Sequence, residues 1–187
     1  MNLKLFDLSA YITEHPFLGV QNKPEGFLYS PRIKKYIAYN HNPKNSGLGA
    51  LVAHPSSPLK LKKSRRDFEY SIMVNDKKAL DSPRNSDDLI NWSYHGGANQ
   101  VFKFEPIDDK YGIATYQIKM TAGSKEVRCI IAAEKTFDLG KCPVESKEDD
   151  EYTDYGDKWM WIPVEFSDFV YFNTDSIRPP NENRQRA

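Results

Sequence analysis

The chain has little of what usually betrays a function. Two cysteines occur in 187 residues, Cys129 and Cys142, without a Cys-x-x-Cys or paired histidines beside them, so a zinc site is not expected. No long apolar run exists, so no segment can cross a bilayer as a helix. Charge of one sign is missing too: 26 basic and 26 acidic residues cancel, leaving no global field to draw the protein onto nucleic acid. The start, Met1 to His15, is interrupted by Lys4, Asp7 and Glu14 and lacks the apolar stretch of a cleavable export signal. The expected location is therefore cytoplasmic, or outside the cell by a route needing no such signal. In that setting two reduced, partly buried thiols are expected, although a disulfide across a hairpin is geometrically possible.

Signatures of catalysis are absent as well. There is no Gly-x-Ser-x-Gly, no His-Glu-x-x-His and no glycine loop to cradle phosphate. The four histidines, His15, His41, His54 and His95, each sit beside Pro, Asn or Gly in turn-like settings. The expectation is a protein that is not an enzyme and needs no cofactor or metal.

What the chain does have is aromatic side chains: 11 Tyr, 10 Phe and 3 Trp. This excludes a disordered or coiled-coil chain, and the length suits one domain. Short runs rich in β-branched and aromatic residues predict strands at Lys35–Tyr39, Gly49–Ala53, Phe68–Val74, Val101–Phe104, Ala114–Met120, Val127–Ala132, Trp159–Val164 and Phe169–Phe172. Gly, Pro, Asn, Asp and Ser clusters separate them, as in an all-β sandwich or barrel. A helix is indicated only in the first dozen residues, where Leu5, Leu8 and Ile12 have roughly helical spacing, and a strand fits there nearly as well.

A repeat sharpens the choice. Phe102-Lys103-Phe104-Glu105-Pro106-Ile107 and Trp159-Met160-Trp161-Ile162-Pro163-Val164 share aromatic-x-aromatic-x-Pro-aliphatic, and Phe68-Glu69-Tyr70-Ser71-Ile72 repeats the aromatic pair. Each is read as closing one unit. Alternate residues of a strand face one way, so three units of four strands would send ring pairs to a common axis and close a barrel without edges.

At this point the sequence resembles the ricin-B-type lectin-like β-trefoils, which include the trefoil heads of some binary insecticidal toxins. Their repeats end in Gln-x-Trp, often after Asn; here the second unit has Asn99-Gln100-Val101-Phe102, with Phe for Trp. Upstream lie Lys78-Ala79-Leu80-Asp81 and Leu89-Ile90-Asn91-Trp92, matching the apolar-Asp and apolar-polar-aromatic strands. The third unit keeps only the aromatic, in Asp157-Lys158-Trp159, and the first is read as Arg66-Asp67-Phe68. The resemblance implies an all-β, roughly twelve-stranded trefoil over residues 27–177, an N-terminal extension (1–26) packing on it and a flexible tail (178–187). It also implies a carbohydrate site among Asp81, Asn91, Trp92, Tyr94, Asn99 and Gln100. Asp81 would accept bonds from vicinal hydroxyls, Trp92 (or Tyr94) would stack on the sugar, Asn99 would complete the cup, and Gln100 would tie strands together. Gly96-Gly97 would give a ligand room to approach the backbone. The partner would be a glycan or glycoprotein, bound alone or in host interaction or toxin targeting.

Two charged runs remain. Lys60 to Arg66 holds five basic residues in seven; it reads as a solvated loop, with nucleic acid a minor alternative because no second cluster extends it. Glu145 to Asp157 is acidic but lacks the register of a calcium loop. A protein-binding trefoil, such as a protease inhibitor or partner-docking factor, is the alternative function. It would present the loops Asn40–Gly49, Pro55–Arg66 and Glu145–Asp157.

Overall fold

Short strands, not helices, organise the described residues. The computed structural model describes residues 19–39, 49–83, 86–107, 115–120, 126–143 and 156–166, which contain twelve strands. These are β1 (Glu25–Ser30), β2 (Lys35–Tyr39), β3 (Gly49–Val52), β4 (Leu59–Lys63), β5 (Glu69–Met73), β6 (Lys78–Asp81), β7 (Ile90–Ser93), β8 (Phe102–Pro106), β9 (Thr115–Met120), β10 (Arg128–Ala132), β11 (Phe137–Lys141) and β12 (Lys158–Pro163).

Antiparallel pairing closes six of them into a ring. β1 pairs β4, β4 pairs β5, β5 pairs β8, β8 pairs β9, β9 pairs β12, and β12 returns to β1. The other six form three hairpins, β2–β3, β6–β7 and β10–β11. Each hairpin hooks onto the barrel through its first strand, by β1–β2, β5–β6 and β9–β10. Three units of four strands, each giving two to a barrel and two to a cap, make a β-trefoil. The hairpins are also stitched to one another, since Leu51 N–H donates to Lys135 O (3.1 Å) and Leu139 N–H to Asp87 O (2.8 Å).

The registers fix which residues correspond. Leu61 lies opposite Ile72, Phe104 opposite Ile118 and Trp161 opposite Leu28, all buried. The closing strands therefore carry Leu59/Leu61, Phe102/Phe104 and Trp159/Trp161. This corrects the ring pair near Phe68: it opens the second unit instead of closing the first. Phe68 turns at φ 60°, and Tyr70 pairs across to Phe102. The reading of Lys60–Arg66 as a loop is corrected with it. Leu59 and Leu61 point inward from β4 while Lys60, Lys62 and Lys63 stay exposed, the alternation of a half-buried strand. The degenerate first motif is thus Ser57-Pro58-Leu59.

The core is filled by edge-to-face rings. Phe104 meets Tyr70 (5.5 Å, 86°) and Tyr116 (5.6 Å, 71°), and Phe137 meets Tyr39 (5.9 Å, 89°) and Trp159 (6.3 Å, 79°), geometries that suit the ring quadrupole. Both buried indoles are satisfied: Trp159 Nε1 donates to Ile130 O (2.9 Å) and Trp161 Nε1 to Lys23 O (2.7 Å). Trp161 needs a gap opposite, which Gly26 supplies, because a Cβ there would lie 2.9 Å from the indole and 2.5 Å from Ile162 O.

The cysteines are joined, contrary to the expectation of reduced thiols. Cys129 lies opposite Gly140 in the β10–β11 hairpin, so Cys142 falls on the diagonal, with Cα atoms 4.9 Å apart. The barrel begins at Glu25, two residues before the expected domain start. Just before it Val20 is buried, its N–H donating to Tyr116 Oη (3.2 Å). The rest of the expected extension, the FVYF strand at 169–172, the C-terminal tail, and most of the loops at 40–49 and 145–157 lie outside the described residues. No described helix is long and apolar enough to cross a membrane.

Candidate functional site

The second cap hairpin carries the expected constellation, and its register sorts the residues by face. Ala79 lies opposite Trp92, Leu80 opposite Asn91 and Asp81 opposite Ile90. Strand alternation therefore sets Ala79, Asp81, Ile90 and Trp92 on one face and Leu80 and Asn91 on the other. Leu80 is in the core, and Asn91 is buried beside it. Asn91 occupies the place that Leu51 and Leu139 hold opposite Ile37 and Ile130 in the other units. It is on the face opposite Asp81 and Trp92, with its Oδ1 buried and without a hydrogen-bond partner among the described residues.

The segment after β7 folds back toward Asp81. A short 3-10 turn, Ala98–Gln100, presents Asn99 and Gln100 to Asp81, and Ser82 N–H anchors it through Asn99 O (3.0 Å). Asn99 Nδ2 donates to Asp81 Oδ1 (2.8 Å) and Gln100 Nε2 to Asp81 Oδ2 (2.8 Å). Gln100 is fully buried and saturated: Nε2 also donates to Ser93 O (2.9 Å), while Oε1 accepts from the N–H groups of His95 (2.9 Å) and Gly96 (3.1 Å). It holds the loop and orients the carboxylate at once.

Each glycine has its own reason. Gly96 sits at φ +67°, the left-handed region that favours glycine, whereas a Cβ on Gly97 would lie 2.7 Å from the His95 ring. That ring is close because Gly97 N–H donates to His95 Nδ1 (3.0 Å). In neutral His95 the proton consequently resides on Nε2, which is 3.4 Å from Asp81 Oδ2. His95 is a member of the network that sequence reasoning passed over as a turn residue; its place immediately before Gly-Gly was the available signal.

On the same hairpin face as Asp81, Trp92 stands 57% exposed, a large apolar face left to solvent. Tyr94 is half-buried, held by its N–H to Lys77 O (2.8 Å). Its ring is covered by Lys62 Nζ at 4.3 Å from the centroid, a cation–π contact. The structure thereby separates two side chains that looked interchangeable: Trp92 has the free stacking face and Tyr94 a capped one. Asp81 is 3% exposed, a carboxylate fixed by amide donors at the floor of the cup. Asn99 retains its carbonyl oxygen, to which no described residue donates.

The other units lack this chemistry. Ala38 and Ile131 stand where Asp81 does, and Val52 and Gly140 where Trp92 does. At the Gln100 position the third unit has Asp157, which accepts from Gln117 Nε2 (2.6 Å). Among the described residues no group of three His, Cys, Asp or Glu side chains is placed to hold a metal ion.

No protein-family model matches the sequence, and no curated protein does. Solved structures do resemble the fold. SeviL, solved bound to asialo-GM1 saccharide, is 12% identical with a TM-score of 0.56, over 76% of this chain and 98% of that one. The designed threefold-symmetric protein ThreeFoil is 16% identical with a TM-score of 0.51, over 74% and 98%. The Polyporus squamosus lectin, solved bound to a human-type influenza-binding epitope, is 11% identical with a TM-score of 0.52, over 74% and 48%. At these identities the likeness concerns architecture: with its closed barrel and three hairpins, the chain has a β-trefoil fold.

Proposed function

We propose that this protein is a non-catalytic carbohydrate-binding module with one site, in its second unit. The observation carrying this reading is the Asp81–Asn99–Gln100 network, with Asp81 on the same hairpin face as the exposed Trp92. A pyranose has an apolar face that an indole can cover and hydroxyls that a fixed carboxylate and an amide can bond. Here both are supplied on one face of the same hairpin. Because Gln100 and His95 already hold Asp81 in place, binding does not have to order it, which lowers the entropic cost. Hydrolysis of a glycosidic bond ordinarily takes two carboxylates across the sugar. Among the described residues Asp81 is the carboxylate of this network, with both oxygens engaged by amides, which supports binding over cleavage. The Cys129–Cys142 bond supports action in an oxidising, extracellular setting, where glycans are displayed.

A single cup gives weak affinity per chain, raised when several copies meet a clustered glycan. A glycan array followed by calorimetric titration tests the reading. Trp92→Ala is expected to weaken the best glycan at least about tenfold, the loss of a stacked, largely desolvated ring, with Asn99→Ala weakening it less. Unchanged binding by the Trp92→Ala protein would remove the assigned site.

A further inference from the structure

The basic run that the core did not need supplies a second determinant. Along β4 and the turn after it most charges of this run have partners: Lys60 meets Glu25 (3.4 Å), Lys63 meets Asp67 (3.2 Å) and Arg66 meets Glu69 (3.8 Å). Lys62 is different. No described carboxylate lies within ion-pair distance of it, and its ammonium rests on the Tyr94 ring, 4.3 Å from the centroid. Tyr94 follows Trp92 by two residues on the same face, roughly 7 Å further along the extended chain. Among the described residues, a cation without a carboxylate partner thus rests on the aromatic ring two positions from Trp92.

The counter-charge on the protein side is already spent. Asp81 directs its oxygens to Asn99, Gln100 and His95, so Lys62 has no anion of its own in the cup. Its contact with Tyr94 fixes its position without neutralising it. Lys62 is exposed, so its attraction for an anion is screened as salt is added.

We infer that the site selects acidic glycans, with Lys62 receiving a carboxylate or sulfate on the sugar stacked against Trp92. This rests on the carbohydrate-binding reading above and names the class of ligand for that site. The test uses matched pairs at low salt: galactose with galacturonate, glucose with glucuronate, and N-acetylglucosamine with its 6-sulfate. One acidic member is expected to bind about tenfold more tightly than its neutral counterpart, an advantage that shrinks as sodium chloride is raised. The carboxylate and sulfate arms tell which anion is preferred. Lys62→Gln is expected to erase the advantage while leaving the neutral sugar within about twofold, Lys62→Arg to retain it, and Trp92→Ala to weaken both members. Equal affinity for neutral and acidic members, or a preference surviving in Lys62→Gln, overturns the inference while the carbohydrate site stands. Binding of no sugar by the parent protein overturns both.

Discussion

At the scale of single residues, one cup contains side chains with opposite duties. Gln100 is inaccessible and makes four hydrogen bonds; Trp92 is mostly exposed. Gln100→Ala would remove a donor from Asp81 Oδ2 and from Ser93 O and the acceptor of two backbone N–H groups, at buried and part-buried positions. Since an unmet buried group costs about 1–3 kcal/mol, and water can enter to meet some, a loss of about 2–4 kcal/mol in urea denaturation is expected. Trp92→Ala should change stability by no more than about 0.5 kcal/mol while costing sugar affinity. If Gln100→Ala unfolds at the parent's urea midpoint, the network is not holding the loop. The Asn-Gln pair and Asp81 were legible in the sequence because their order survives in one unit. The inward turn of Asn91 was hidden because a buried asparagine at a leucine position breaks the polarity rule by which faces are read. His95 was hidden because its role comes from a ring contact with Gly97, not from any spacing.

At the scale of elements, the hairpins show how local pairing sets tertiary placement. Cys129 and Cys142 enclose the β10–β11 turn, and closing a loop of that length restricts the unfolded chain by about 3 kcal/mol in the loop-entropy picture. Replacing both with serine is expected to lower stability by about that amount, read from the shift in denaturation; an unchanged midpoint would mean that the bond adds no constraint. Gly49 opens β3 where the Phe137 ring of the third unit fills the space of a Cβ. Gly49→Ala is expected to cost about 1–3 kcal/mol through overpacking, and Phe137→Leu in the same chain to recover part of it. Strictly additive losses would show that the two do not meet. Strand β4 escaped the sequence reading because its three lysines outnumber its two inward leucines, and a composition count weighs all five equally. The β10–β11 hairpin was half visible: Val127–Ala132 showed itself, but Phe137–Lys141, with Asp138, Gly140 and Lys141, did not.

At the scale of the whole molecule, the barrel closed by β1 on β12 and its hairpin caps bury aromatics, including four tyrosines whose ionisation is held above its usual range. Burial is the main cause for Tyr36, Tyr39, Tyr70 and Tyr116; Tyr29 adds to it at Tyr36, while Lys63 at Tyr70 and the Val20 N–H at Tyr116 work against it. A phenol that ionises near pH 10 when unfolded but later when folded stabilises the fold fully below that pH. Its contribution is lost as pH rises further, because the unfolded state sheds protons that the folded state keeps. Each such tyrosine is expected to remove about 1.4 kcal/mol per pH unit between its unfolded and folded pKa values. Alkaline unfolding should therefore begin above pH 10 and be steep. Tyrosinate absorbance and loss of sheet signal should rise together; ionisation of every tyrosine well before unfolding would contradict the enclosure.

By itself the sequence determined an all-β body, a threefold plan seen in two of its three closing strands, and one unit bearing a ligand-type motif. Those features are written locally, in alternation, turn residues and a short ordered motif. Tertiary structure alone decided where the units begin, that the cysteines meet, and which aromatic offers a free face. It also decided that Lys62, distant along the chain, sits beside Tyr94. Each of these depends on which strand lies next to which, and in a trefoil that is set by closure of the barrel, where residues near 26 and 163 become neighbours.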